Sequence, residues 1–183
     1  MSSSRKFGSK GPNFSRSRKP AEPEDFTLEE WEEKARNWIL DRLSRSPRTR
    51  FQLAKMLTDR NVPQEIIERL LDRFTEVGLI DDAAFAKAFT TSRRLSRGLS
   101  KSALKRELAT VGVDQELIQE ALENIDSEAE LVLATELAIK RIRSLSSLER
   151  DVQYRRLAGY LGRRGFSSGI VGSAIRTAQQ QVN

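Results

Sequence analysis

Residues 49–73 read TRFQLAKMLTDRNVPQEIIERLLDR, and the pattern returns twice without a gap: SKSALKRELATVGVDQELIQEALEN over 100–124 and QYRRLAGYLGRRGFSSGIVGSAIRT over 153–177. The columns that agree are those that packing selects. Leu53, Leu104 and Leu157 align, then Leu57, Leu108 and Leu161, Val62, Val113 and Phe166, Ile66, Leu117 and Ile170, and Leu71, Leu122 and Ile175. Apolar spacing of three and four on either side of a break describes two amphipathic helices joined by a turn. The break falls at Asn61, Gly112 and Gly165, the residue types that most readily take the left-handed conformation ending a helix. Two positions on stand Pro63, Asp114 and Ser167; Asp and Ser suit N-caps, and Pro suits a first turn.

A further helix-length apolar pattern precedes each pair: Trp31, Ala35, Trp38, Ile39 and Leu43 in the first unit, Phe85, Ala86 and Phe89 in the second, and Leu131, Leu133, Leu137, Ala138 and Ile142 in the third. The expected fold is all-α, an elongated tandem array of three three-helix repeats in which each unit packs mainly on its neighbours. The expected divisions are a disordered tail over 1–25, repeat 1 over 26–80, repeat 2 over 81–125 and repeat 3 over 126–183. The third unit holds Gly159, Gly162, Gly165, Gly169 and Gly172, and interior glycine predicts a less rigid unit.

Composition narrows the chemistry. The chain has no cysteine and no histidine, which removes the thiolate nucleophile, the disulfide frame and the commonest general base and metal ligand. No apolar run approaches the roughly 20 residues of a membrane span, and the start, MSSSRKFGSKGPNFSRSRKP, lacks the apolar core of a secretory signal. Gly and Pro also interrupt the amphipathic helix of an organelle transit peptide there, so a cytoplasmic protein is expected. Residues 1–20 carry Arg5, Lys6, Lys10, Arg16, Arg18 and Lys19 with no acid, and residues 21–33 hold seven acids with no base. A polar arm of this kind lacks the apolar groups that offset ordering entropy.

Asp81 and Asp82, inside VGLIDDAAFAKAF (77–89), invite reading as a catalytic or metal-binding pair. Neighbouring helical residues diverge by about 100°, and no histidine or nearby third carboxylate completes a site. Both are therefore expected to serve the helix start at the junction of repeats 1 and 2.

The cations cluster in register. From Ala83 to Arg106 the chain carries Lys87, Arg93, Arg94, Arg97, Lys101, Lys105 and Arg106 without one acid. The first unit has Arg42, Arg45, Arg48 and Arg50 at matching positions, and the third has Lys140, Arg141, Arg143, Arg155, Arg156, Arg163 and Arg164. Such runs describe either a solvated face with cations at helix C-termini or a strip that follows polyanion phosphates. Phe7, Phe14, Tyr154 and Tyr160 are candidates for stacking on bases.

The string LLDRFTEVGLIDDAAFAKAF, followed by SRRLSRGLSKSALKRELATVGVDQELIQEAL, resembles the RecX family of bacterial regulators of the recombinase RecA. SRSPRTRFQLAKMLTDRNVPQEIIERLLDR fits that family's first repeat, and the likeness extends over about residues 35–178. The resemblance implies a non-enzymatic, modular protein that binds the RecA filament on single-stranded DNA. It implies suppression of ATP hydrolysis, strand exchange and stimulated repressor cleavage, with no cofactor. The alternative is a general DNA-binding protein whose basic strip acts without RecA. In either case DNA is expected on the basic surface of a monomer. Arg93, Arg94, Arg97, Lys101, Lys105 and Arg106 are the first candidates, joined by Arg45, Arg48, Arg50, Arg155, Arg156, Arg163 and Arg164.

Overall fold

The computed structural model describes residues 26–181. The expected basic arm over 1–25, with Phe7 and Phe14, lies outside them. The described residues form α1 (Leu28–Arg45), α2 (Arg50–Thr58), α3 (Gln64–Glu76), α4 (Asp82–Arg97), α5 (Lys101–Thr110), α6 (Gln115–Ala121), α7 (Ser127–Ile142), α8 (Arg150–Gly162) and α9 (Ser168–Gln181), with a 3-10 turn at Arg143–Leu145 after α7. Among these residues there is no strand, and no helix is long and apolar enough to cross a membrane.

Local chemistry sets the helix starts. Thr27 and Thr49 close capping boxes with Glu30 and Gln52, while Asp81, Ser100, Asp114 and Asp126 accept from first-turn N–H groups. Each turn inside a repeat passes through a left-handed residue, with φ of 59° at Asn61, 78° at Gly112 and 88° at Gly165. At that column the chain folds back and brings the apolar faces of the two flanking helices together. Leu53, Leu57, Leu104, Leu108, Leu157 and Leu161 are all fully buried, each worth about 1.5–3 kcal/mol relative to exposure.

The cores depart from the expected packing between neighbours. Each unit buries its own apolar cluster: Ile39, Leu53, Ile67, Leu70 and Phe74 in the first, Ala86, Leu104, Leu108 and Ile118 in the second, and Ala138, Leu157, Leu161 and Ile175 in the third. The extensive helix contacts all lie within a unit. The reason is that three helices with apolar faces close on one another, so each core is covered chiefly within its own unit. The alanines of the third unit serve this closure. Ala134, Ala138, Ala174 and Ala178 are fully buried, and their small size lets α7 and α9 approach along their length.

The hydrogen bonds that join the units are repeated. At the first junction the Thr49 hydroxyl donates to the Val111 carbonyl at 2.6 Å, and the Arg50 N–H donates to Asp82 Oδ1 at 2.9 Å. At the second, the Ser100 N–H donates to the Arg164 carbonyl at 3.0 Å, and the Lys101 N–H donates to Glu130 Oε1 at 2.7 Å. Thr49 aligns with Ser100, Arg50 with Lys101 and Val111 with Arg164, so one docking geometry is used twice.

Candidate nucleic-acid interface at the unit junctions

The docking geometry produces a groove at each junction. The first, about 330 Å³, is lined by Arg42 from α1, by Arg48, Phe51, Gln52, Lys55 and Asp59 on and around α2, and by Thr110 from the next unit. The second, about 310 Å³, is lined by Arg93 and Arg97 from α4, by Leu99, Ala103, Arg106 and Glu107, and by Arg163 from the next unit. In the repeat alignment Arg42 corresponds to Arg93, Lys55 to Arg106, and Thr110 to Arg163. The two grooves are thus the same place in consecutive units, each rimmed by cations that sit on helices with buried apolar backs.

Their electrostatics differ. In the second groove Glu107 bridges Arg97, 2.6 Å from Nη1, and Arg93, 3.4 Å from Nε; Arg93 also lies over the Phe89 ring at 4.9 Å. Arg106 and Arg163 are exposed and make no ion pair among the described residues. In the first groove the residue aligned with Glu107 is Met56, so no acid holds that position. Lys55 reaches Asp59 one turn on at 3.4 Å, and the Arg48 Nε is buried without a partner. Guanidinium groups held at fixed points along a groove suit bidentate contact with phosphate oxygens.

The structure divides the sequence candidates. Arg93, Arg97, Arg106 and Arg163 come together, as do Arg48 and Lys55. Lys105, Arg155 and Arg156 are exposed and make no hydrogen bond or ion pair through their side chains among the described residues. Arg45 pairs with Asp41 on its own helix at 2.9 Å. Arg50 and Lys101 are engaged inside their own units: Arg50 Nη2 meets Asp72 at 2.7 Å, and Lys101 Nζ donates to the Ile125 carbonyl at 2.8 Å. Arg164 donates from Nε to the Arg97 carbonyl at 3.0 Å and lies 3.7 Å over the Tyr160 ring, while Arg141 lies 5.8 Å from the same ring. Tyr160 is therefore already stacked on cations, whereas Tyr154 is partly exposed. Arg94 faces away from Arg93, donating to the Ala129 carbonyl at 3.3 Å.

Asp81 and Asp82 hold two separate positions. Asp81 caps α4, accepting from the Ala84 N–H at 2.8 Å. Asp82 is the first residue of α4, yet its carboxylate caps α2 of the preceding unit through Arg50. Burial raises the Asp82 carboxyl above its ordinary value, against the lowering pull of the Arg50 N–H and charge. Glu130 stands in the same way at the start of α5. A carboxylate of the next unit thus occupies the place where an external anion would meet the start of α2 and of α5, which leaves the adjoining grooves as the cationic surfaces open at these junctions.

The sequence reasoning missed Lys55 and the tertiary task of Asp82. The Lys55/Arg106 column, basic in two repeats, was the available signal for the first. Nothing local signals the second, because the partners are 32 residues apart.

Comparison with known proteins places the chain. Family models for the first, second and third three-helix domains of RecX match residues 35–74, 81–122 and 128–175 in that order. The regulatory protein RecX of Streptomyces coelicolor is 45% identical over 149 residues, covering 81% of this chain and 79% of that one. Its counterpart in Thermobifida fusca is 40% identical over 156 residues, covering 85% and 82%. In Mycolicibacterium smegmatis the figures are 43% over 143 residues, with 76% of each chain covered. These relatives are named as regulators, not as enzymes. The crystal structure of RecX from Lactobacillus salivarius, 20% identical, shares the fold with a TM-score of 0.72 over 82% of this chain and 97% of that one. The crystal structure of a regulatory protein RecX, 26% identical, gives 0.67 over 78% and 70%. With three domains matched in sequence order and relatives above 40% identity across most of both chains, this protein belongs to the RecX family of regulatory proteins.

Proposed function

We propose that this protein binds the RecA filament on single-stranded DNA as a cytoplasmic monomer. There it restrains the recombinase, lowering ATP hydrolysis, strand exchange and stimulated repressor cleavage. The observation that carries the reading is the recurrence of one basic groove at consecutive junctions of a RecX-family array. A nucleoprotein filament is itself a repeating object. An array with cationic grooves one repeat apart can engage successive phosphates or protomers, and linked weak contacts multiply into avidity. Exposed cations contribute little to the fold, so Arg106 and Arg163 are available to a polyanion.

The test is RecA's single-stranded-DNA-dependent ATP hydrolysis, titrated with this protein well below one copy per RecA. Inhibition at such ratios is the expected result. Absence of inhibition, under conditions where bare DNA is bound, would establish the alternative: DNA binding by the same grooves without the recombinase.

A further inference from the structure

A larger cleft, about 740 Å³, lies between units 2 and 3, enclosed by α4, the end of α6, α7 and α8. Arg97 lines both it and the second groove, but its chemistry is different. Thr90 is only 6% exposed, and its hydroxyl has no hydrogen-bond partner among the described residues. Arg94 Nη1 is buried in the same condition, although Nη2 is held by the Ala129 carbonyl. The two residues are four apart on α4 and so share one face of the helix. A guanidinium can only donate, and a buried unpaired donor is costly, more so when charged. The pair therefore calls for an anionic oxygen.

The surrounding charge agrees. Lys87, Arg97, Lys140 and Arg164 line the cleft against Glu120 and Glu136, and Glu120 is already paired with Lys87 at 2.7 Å. The walls are aliphatic, formed by Leu133, Leu137, Ala121, Ile125 and Leu95, and Leu95 stands 89% exposed at the edge. Free phosphate would leave these walls wetted. A nucleotide would need a ring to stack on, and the one aromatic residue lining the cleft, Tyr160, already lies beneath the Arg164 guanidinium at 3.7 Å. We propose that the cleft between units 2 and 3 is a docking site for an acidic protein segment, in which a carboxylate meets Arg94 and Thr90 and flanking aliphatic side chains cover Leu95, Leu133 and Leu137. This site shares Arg97 with the second groove but is built on Arg94 and Thr90, which that groove does not use, and it does not rest on the RecA reading.

The experiment is a methyl-resolved NMR titration of the full chain, following Thr90, Leu133 and Leu137. Four probes are used: a synthetic 15-residue peptide of alternating Glu and Leu blocks, its Gln-for-Glu counterpart, inorganic phosphate and adenosine monophosphate. The expected result is a saturable shift with the acidic peptide, at least tenfold weaker binding of the Gln peptide, and little response to the two phosphates. Arg94→Met should weaken the acidic peptide about tenfold and Thr90→Val about threefold, with single-stranded DNA affinity changed less than twofold. Should Arg94→Met fail to fold, the isosteric Thr90→Val and the peptide pair on the native chain still decide. Equal binding of the Gln peptide would reduce the site to apolar contact and overturn the proposal. Saturation by phosphate or the nucleotide in preference to the peptide would overturn it in favour of a small-anion site. No shift with any probe would show a cleft filled by solvent alone.

Discussion

The two unit junctions share a backbone geometry and differ in charge. At both, a capped second helix meets the left-handed turn of the next unit and receives a carboxylate from that unit's first helix. The second junction adds Ser102 Oγ to the Gly165 carbonyl at 3.1 Å and Arg164 Nε to the Arg97 carbonyl at 3.0 Å. It also carries Glu107 between two of its arginines, where the first junction has Met56. Docking therefore depends on a glycine, a hydroxyl residue and a carboxylate at fixed places. The groove cations sit outside that set and are free to vary in number and in compensation.

The sharpest way to break this comparison is to add a methyl group at the turn glycines. In Gly112→Ala the new carbon overlaps the Phe51 ring and Cβ, and the residue must also hold a φ of 78°. Left-handed strain of about 1–2 kcal/mol and overpacking of about 1–3 kcal/mol combine there. Gly165→Ala meets Ser100 Oγ at 2.5 Å and Ala103 Cβ at 2.9 Å, so a slightly smaller loss is expected. Gly78, with φ of 71°, has nothing within 4 Å, and Gly78→Ala should lose the strain alone, about 1 kcal/mol. Denaturant midpoints should rank the three in that order. Equal losses would mean that junction contact adds nothing to backbone strain.

A smaller effect separates the two tasks of the aspartates. Asp82→Ala leaves the Arg50 N–H without its acceptor and should lose about 1 kcal/mol at neutral pH. The Asp82 pKa is raised in the folded state, chiefly by burial, so the native protein takes up this proton before the unfolded chain does. Its contribution is most favourable below the ordinary carboxylate range and declines as pH rises through the raised value. The stability of the native chain relative to Asp82→Asn, which keeps an acceptor, should therefore fall as pH rises from the ordinary carboxylate range through the raised value. A difference that rises with pH would contradict burial as the dominant cause.

The smallest change concerns Glu107. Glu107→Gln removes an exposed pairing worth less than about 1 kcal/mol and makes the second groove resemble the first. Affinity for single-stranded DNA should rise a few-fold at low salt, with a steeper dependence on salt concentration. Unchanged affinity and slope would mean that Arg93 and Arg97 do not contact phosphate.

Much of this architecture was legible in the repeat. The leucine columns and the Asn61, Gly112 and Gly165 break specify helix, turn and helix three times, because burial and left-handed backbone are local demands on residue type. The closure of each unit on its own core was not legible, since an apolar face does not state which neighbour covers it. The cationic run 93–106 was visible, but its division was only partly so. Helical spacing puts Arg93 and Arg97 on one face and Arg94 on another, yet which face meets unit 3 is a tertiary fact. Thr90 gave no signal at all, being one more small residue on an amphipathic helix.

The central claim is that the two grooves act together on one nucleoprotein filament. Its most direct test compares the native chain with a variant carrying Arg48→Gln, Lys55→Gln, Arg106→Gln and Arg163→Gln in the RecA ATP-hydrolysis titration, once circular dichroism has shown matching melting curves. The expected result is at least a tenfold increase in the concentration needed for half-inhibition, with each groove's pair alone giving a lesser shift. An unchanged inhibition curve in the fully folded quadruple variant would contradict the claim and assign recombinase control to another surface.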